Sequence, residues 1–264
     1  MDTLQRYLDS TNDMLQDVCI KVLSKGRIPR HIGFILDGNR RFARKAGAES
    51  TKFGHYEGFR QLQMVLDFCM RLGIEAVTVY AFSIENFKRS ADEVDYLMQL
   101  FREVFTSFCD KNELVDKYEI GIHFCGNRSL LPPDVAELTR KVEARTQHHK
   151  TRIFNICCPY TSRDEITTAI RENVRSVEQK QRSIEDINKE TLESQMFTSA
   201  SPPLEILIRT SGEIRLSDFL LWQSSDQCQI QFVECYWPEF SLWKFLPILL
   251  EYQIYAGSTT TTTR

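Results

Sequence analysis

The chain has 264 residues, 42% of them hydrophobic, a length that permits one or two domains and one substantial core. A formal net charge of -3 argues against broad nucleic-acid binding, which goes with an overall basic balance, so any anion must be met by a local cluster. No apolar run approaches a membrane span, no signal-peptide pattern opens the chain, and eight cysteines without a C-x-x-C pair read as reduced thiols rather than disulfides or a zinc site.

In chain order, residues 1–26 read as an N-terminal amphipathic helix. Leu4, Leu8, Leu15, Val18 and Val22 recur at about 3.5–3.6 residues, with Thr11 interrupting, ahead of the stop signals Gly26 and Pro29. The opposite face mixes Asp9, Asp13 and Asp17 with Lys21 and Lys25, which suits packing against this chain or a partner better than binding an anionic membrane. One domain is expected over 27–256, because no Gly/Ser-rich or Pro-rich linker divides it. Its first strand, "HIGFIL" (31–36), runs into Asp37, Gly38 and Asn39, and then four of the six positions 40–45 are basic. Phe59, Leu62, Val65, Leu66, Cys69 and Leu72 give 56–72 a helical stripe, and "AVTVYAF" (76–82) is a second strand leading into "SIENFKR" (83–89). Helical spacing returns over 91–117, 134–148 and 162–178, alternating with the strands "IGIHF" (120–124) and "RIFNICC" (152–158). Residues 176–190 read as an exposed helix or helical hairpin. The strand "LEILIR" (204–209) feeds "RTSGEIR" (209–215), "QIQFV" (229–233) alternates as a half-covered strand does, and 257–264 reads as a low-complexity tail.

Strands nearly continuous in apolarity, alternating with helices, predict a single α/β domain with a mainly parallel central sheet of about six strands and helices on both faces. Ligands of such sheets sit at the carboxyl ends of the strands, where three polar loops then converge: 37–41, 83–89 and 209–215. Each carries arginine. Guanidiniums match phosphate oxygens bidentately, a helix opening after Gly38 adds backbone N–H groups, and a carboxylate among them suits Mg²⁺, which uses one or two carboxylates plus substrate phosphates. Taken singly, Asp37 also fits an N-cap, Ser83 and Asn86 fit turn residues, and Arg209 and Arg215 fit a structural network with Glu213 and Asp218; Arg44 and Lys45 suit a solvated helix face equally well. The nucleotide motifs G-x-x-x-x-G-K-[ST] and G-x-G-x-x-G, and the hydrolase motifs H-E-x-x-H and G-x-S-x-G, are absent. Of the histidines only His55, in "FGHYEGF", lies near enough to the first loop to touch substrate.

The segments "HIGFILDGNRRFARK", "GHYEGF", "VYAFSIENFKRS", "LIRTSGEIRLSDFLLWQ" and "WPEF" stand in an order and spacing that resembles the cis-prenyltransferases, in particular the eukaryotic members that make dehydrodolichyl diphosphate, over roughly residues 27–253. The resemblance implies condensation of isopentenyl diphosphate onto an allylic diphosphate such as farnesyl diphosphate, for dolichol synthesis and protein glycosylation. It implies that Asp37 is the catalytic Mg²⁺ ligand, that Asn86 assists catalysis, and that Gly38, Asn39, Arg40, Arg41, His55, Ser83, Glu85 and Arg89 serve the allylic diphosphate. Arg209, Arg215 and Ser217 are then the isopentenyl diphosphate site. Phe82, Phe87 and the apolar faces of the helices at 91–117 and 134–148 would line a product tunnel, ordinary core packing being the other reading of each. Three positions depart from the pattern: Phe42 stands where Trp is common, Lys52 is the only basic residue just before Gly54 and His55, and Cys228 stands where a second metal-ligand Glu is found. The C-terminal Arg-x-Gly motif of single-subunit members is absent, which implies a Nogo-B-receptor-like accessory subunit that supplies it, and peripheral association with the cytosolic face of the endoplasmic reticulum membrane. Two rivals remain: a non-catalytic subunit of the same fold, against which the intact 37–41 loop speaks, and a phosphoryl-transfer enzyme or phosphatase.

Overall fold

Six short runs of β-branched and aromatic residues form one parallel sheet in a computed structural model that describes residues 14–110 and 112–258. The strands are β1 (His31–Ile35), β2 (Ala76–Tyr80), β3 (Ile120–Cys125), β4 (Arg152–Cys157), β5 (Ile206–Arg209) and β6 (Gln229–Phe232), in the spatial order β3-β4-β2-β1-β5-β6. Every neighbouring pair is parallel. After β1 the chain moves to β2 on one side, whereas β5, on the other side of β1, leads outward to β6. The direction of winding therefore reverses between β1 and β5, and the crevice above their carboxyl ends is the ligand position of such a sheet.

Strand side chains divide by parity. Ile32 and Phe34 of β1, Val77 and Val79 of β2, Phe154 and Ile156 of β4 and Ile206 and Ile208 of β5 enter the larger apolar core. Ile35, Cys157 and Leu207 enter a smaller one with Tyr160, Leu204, Phe219 and Leu220. The second face is polar at its centre. His31 Nδ1 bonds the Pro202 carbonyl at 2.7 Å and His31 Nε2 the Thr78 hydroxyl at 2.7 Å, and Asn155 Nδ2 donates to Thr78 Oγ1 and Ser201 Oγ, each at 2.8 Å. A carbonyl can only accept, so the proton is on Nδ1, and burial pushes the His31 pKa down to about 4.

Residues 14–23 form helix α1. It is followed by α2 (Asn39–Lys45), α3 (Thr51–Leu72), α4 (Ala91–Cys109), α5 (Glu113–Tyr118), α6 (Pro133–Thr146), α7 (Ser162–Glu178), α8 (Lys189–Glu193) and α9 (Leu242–Ser258). Leu4, Leu8, Asp9, Thr11 and Asp13 of the N-terminal stripe lie outside the described residues, as does 259–264 of the expected tail. Within α1 the packed face is not the expected one. Ile20 and Leu23 are buried and Asp17 pairs with Arg71 of α3, while Leu15, Val18 and Val22 face solvent. The helix expected over 91–117 is two helices, because Asn112 caps a new start by accepting from Val115 N at 3.1 Å. The polar stretch 176–190 holds the end of α7, a 3-10 turn (Ile184–Asp186) and the start of α8. Helix α9 runs to Ser258 with Pro247 inside it; no element was expected over 242–256, and the helix takes in the first two residues of the expected tail. The eight cysteines are all free, with Cys69, Cys125, Cys157 and Cys158 buried.

Candidate active site

The first loop is held from three sides. Asp37 N donates to Thr210 Oγ1 at 3.1 Å while that hydroxyl donates to Asp37 O at 2.8 Å, and Trp237 N donates to the same carbonyl at 2.9 Å. Trp237 is fully buried, with its indole N–H on Gly58 O at 2.7 Å, so the "WPEF" segment braces the loop from below. Gly38 turns the chain into α2 at φ 101°, and a Cβ there would lie 2.8 Å from Tyr236 Cδ1, so only glycine fits. Helix α3 lies against α2 through two glycines one turn apart. A Cβ on Gly54 would sit 1.9 Å from Asn39 O, and one on Gly58 would sit 2.5 Å from Asn39 Oδ1. That close approach explains both glycines of "GHYEGF", a signal legible only as a motif in the sequence.

A cavity of about 300 Å³ opens above this loop, lined by Leu36, Asp37, Gly38, Asn39, Arg40, Arg41, Arg44, His55, Arg89, Glu213 and Arg215. Five guanidiniums thus face one space. Arg209, almost wholly buried, reaches from the end of β5: its Nη2 donates to Asp37 Oδ2 at 2.8 Å and its Nη1 to Ser217 Oγ at 2.7 Å and to the Arg215 carbonyl. Asp37 Oδ1 accepts its neighbouring Gly38 N–H at 2.7 Å and lies 3.5 Å from Arg41 Nη2. Two further carboxylates hold four of the five cavity arginines. Glu213 takes Arg41 at 3.0 Å and also pairs with Arg215; Glu93, at the start of α4, takes Arg89 at 2.7 Å and Arg40 at 3.5 Å. The expected structural network is therefore half present: Arg215 pairs with Glu213, but Asp218 pairs with Arg163 at 2.7 Å.

Among the expected allylic-site residues, Gly38, Asn39, Arg40, Arg41, His55 and Arg89 are brought together at the cavity. Burial, helped by the Arg89 charge, pushes the His55 pKa down to about 4, so this ring is neutral at physiological pH, with Nε2 buried and unpartnered. Ser83, Glu85 and Asn86 sit beside the cavity in the 3-10 turn Ile84–Lys88 and do not line it. Asn86 Oδ1 accepts from Ser83 N at 3.1 Å, Ser83 Oγ accepts from Glu85 N at 3.2 Å, and exposed Glu85 pairs with Lys88. Arg44, left open between site and solvated face, lines the cavity, whereas Lys45 pairs with Glu239 at 2.7 Å. Cys228 lies away from it, packed against the smaller core, with burial pushing its thiol up to about 12. Phe82, Phe101, Phe105 and Phe124 pack ring on ring at 4.7–6.0 Å in the larger core, Phe87 against Phe82 at 4.9 Å. Glu93 was missed by the sequence reading; its one signal is the four-residue spacing from Arg89.

Residues 35–257 match the family model for prenyltransferases of the undecaprenyl diphosphate synthase type. The chain belongs to the cis-prenyltransferase family. It is 43% identical over 247 residues to a dehydrodolichyl diphosphate synthase complex subunit of Schizosaccharomyces pombe, covering 94% of this chain and 93% of that one. It is 44% identical over 236 residues to the corresponding human complex subunit, covering 89% and 70%. Among solved structures, lavandulyl diphosphate synthase from Lavandula x intermedia, in complex with dimethylallyl diphosphate, superposes with a TM-score of 0.78 at 31% identity, over 85% of this chain and 95% of that one. The expected fold, family and enzyme class therefore hold: this cis-prenyltransferase is a single α/β domain with a six-strand parallel sheet, in a family that is generally magnesium-dependent.

Proposed function

We propose that this cis-prenyltransferase extends an allylic diphosphate such as farnesyl diphosphate with isopentenyl diphosphate, making a long-chain dehydrodolichyl diphosphate for dolichol synthesis and protein glycosylation. The observation that carries the reading is the cavity at the reversal of winding, where five guanidiniums and the Asp37 carboxylate face one space of about 300 Å³. The names of the Schizosaccharomyces pombe and human relatives support the product class.

The donor set fits magnesium. Asp37 is a partly exposed carboxylate at the cavity mouth, and the described residues contain no cluster of three or more metal-ligating side chains. One carboxylate with the balance of ligands from substrate phosphate and water is the usual way magnesium is held. Bound there, the ion would add Lewis acidity at the departing diphosphate. The chain's own residues do the rest. Arg40, Arg41 and Arg89 hold the allylic diphosphate and stabilise the charge it gains as the carbon–oxygen bond breaks and the electron pair leaves with oxygen. Arg209, Arg215 and Ser217 hold the second diphosphate, so that the isopentenyl double bond faces the allylic carbon, forms the new carbon–carbon bond and gives up a proton from its own C2. Fixing both diphosphates on one scaffold makes the encounter effectively intramolecular. Asn86 shapes the 83–89 turn that carries Arg89, and neutral His55 walls the cavity without adding charge.

The partner reading is heteromeric: a Nogo-B-receptor-like accessory subunit contributes a C-terminal Arg-x-Gly motif, and the pair associates peripherally with the cytosolic face of the endoplasmic reticulum membrane. It is supported by the words "complex subunit" in the relatives' names and by the finding that no described helix is long and apolar enough to cross a membrane. The test is incubation with farnesyl diphosphate, labelled isopentenyl diphosphate and Mg²⁺, followed by chain-length separation. Hydrolysis without any chain growth would favour the phosphatase reading instead.

A further inference from the structure

Glu93 lies in the first turn of α4, behind the cavity rather than on its wall. Its Oε1 accepts from Arg89 at 2.7 Å, and its Oε2 lies 3.5 Å from Arg40. These arginines leave different loops and both face the cavity. Only 14% of the Glu93 side chain is exposed, less than the 27% of Glu213 on the opposite side, so its charge is the less screened by water. His55 Nε2, 3.8 Å away, belongs to a neutral ring and does not balance that charge.

We infer that Glu93 is a counter-ion that weakens the hold of Arg40 and Arg89 on diphosphate, and so sets how fast diphosphate leaves after each condensation. The inference rests on reading the cavity as the allylic diphosphate site. A chain-elongating enzyme must release one diphosphate per unit added, and five guanidiniums around so small a space favour retention. A nearby carboxylate repels the multiply charged anion and re-pairs with the arginines as it departs. The same carboxylate also holds the two guanidiniums side by side, which works in the opposite direction. Charge outweighs orientation here: behind the cavity wall, at an effective dielectric of about 20, one unit charge against a multiply charged anion is worth at least about tenfold in affinity. Replacement by glutamine keeps the acceptor to Arg89 and removes the charge, together with the weaker acceptor that faces Arg40.

The probe is inorganic diphosphate with Mg²⁺, titrated calorimetrically into the wild-type chain and the E93Q, E93D and R89A variants, alongside steady-state kinetics. In E93Q diphosphate binds about tenfold more tightly, inhibits turnover at correspondingly lower concentration, and lowers KM for the allylic substrate together with kcat. E93D, which keeps the charge, stays close to wild type. Unchanged or weaker diphosphate binding in E93Q overturns the role of Glu93, as does equal tightening in E93D. If R89A leaves diphosphate affinity unchanged, the reading of the cavity itself fails; if R89A weakens binding and E93Q does not tighten it, only the role of Glu93 falls.

Discussion

Arg209 Nη2 stands 2.8 Å from Asp37 Oδ2, joining the carboxyl ends of β5 and β1 across the reversal of winding. The residue expected to hold the metal and the residue expected to hold isopentenyl diphosphate are thus each other's partners. The contact couples the two proposed substrate positions, because charge placed on either residue changes its pull on the other.

Replacing Asp37 by Ala should nearly abolish turnover, through loss of several kcal/mol of transition-state stabilisation. It also leaves the buried Arg209 guanidinium without its carboxylate, so thermal unfolding should show a cost of about 1–3 kcal/mol with a cooperative transition retained. Near-normal turnover of a folded variant in Mg²⁺ would remove Asp37 from the mechanism.

Arg209 and Arg215 should separate kinetically. Arg215 is largely exposed and tied to Glu213, so Arg215→Ala should raise KM for isopentenyl diphosphate with little change in kcat. Arg209 also orients Asp37, so Arg209→Ala should raise the same KM and lower kcat as well. A selective loss of allylic affinity in either variant would reverse the placing of the two diphosphates.

Much of the fold was legible because burial on both sheet faces leaves a plain mark: the runs at 31–36, 76–82, 120–124, 152–158 and 204–209 are β1, β2, β3, β4 and β5, and the alternating run at 229–233 is the edge strand β6. Less legible were features set by tertiary contact. The break after Cys109 depends on Asn112 as a cap, α9 carries Pro247, and the packed face of α1 is chosen by Ile20 and Leu23 meeting the core. At the site, the arginines of three loops were readable from strand ends. Glu213 beside Arg215 was readable too, and Glu93 left only its four-residue spacing from Arg89. The Arg41–Glu213, Arg40–Glu93 and Asp37–Arg209 contacts join segments far apart in the chain, and local spacing does not encode them.

Gly54→Ala should be among the most damaging of small substitutions. The added methyl would meet the Asn39 carbonyl at 1.9 Å, prying α2 from α3. A loss of about 2 kcal/mol or more is expected by denaturant unfolding, with a rise in allylic KM because Arg40 and Arg41 ride on α2.

Stability should fall in mild acid. His31 has a folded pKa of about 4 against an unfolded value of about 6.5, so the unfolded chain binds the proton first as pH drops. The contribution is intact above the unfolded value and is lost on descent towards the folded one, about 2 kcal/mol between about pH 7.5 and about pH 5. Urea unfolding at the two pH values checks this, and His31→Gln should flatten the difference; an unchanged pH dependence in that variant would place the proton elsewhere.

The partner should act through one more cation at the diphosphate. Such a contact supplies roughly 1.5–3 kcal/mol, about one to two decades in rate if realised in the transition state. The isolated chain should therefore be weakly active and gain at least that order when the accessory subunit is added. Full processive synthesis at a rate the partner does not change would count against a heteromer.

The most direct test of the whole account is one assay: the chain with farnesyl diphosphate, labelled isopentenyl diphosphate and Mg²⁺, with and without the accessory subunit, and with Asp37→Ala as control. A ladder of labelled products, each one five-carbon unit longer than the last and absent in the control, is the expected result. Release of diphosphate from farnesyl diphosphate alone, with no labelled chain in any lane, would contradict it.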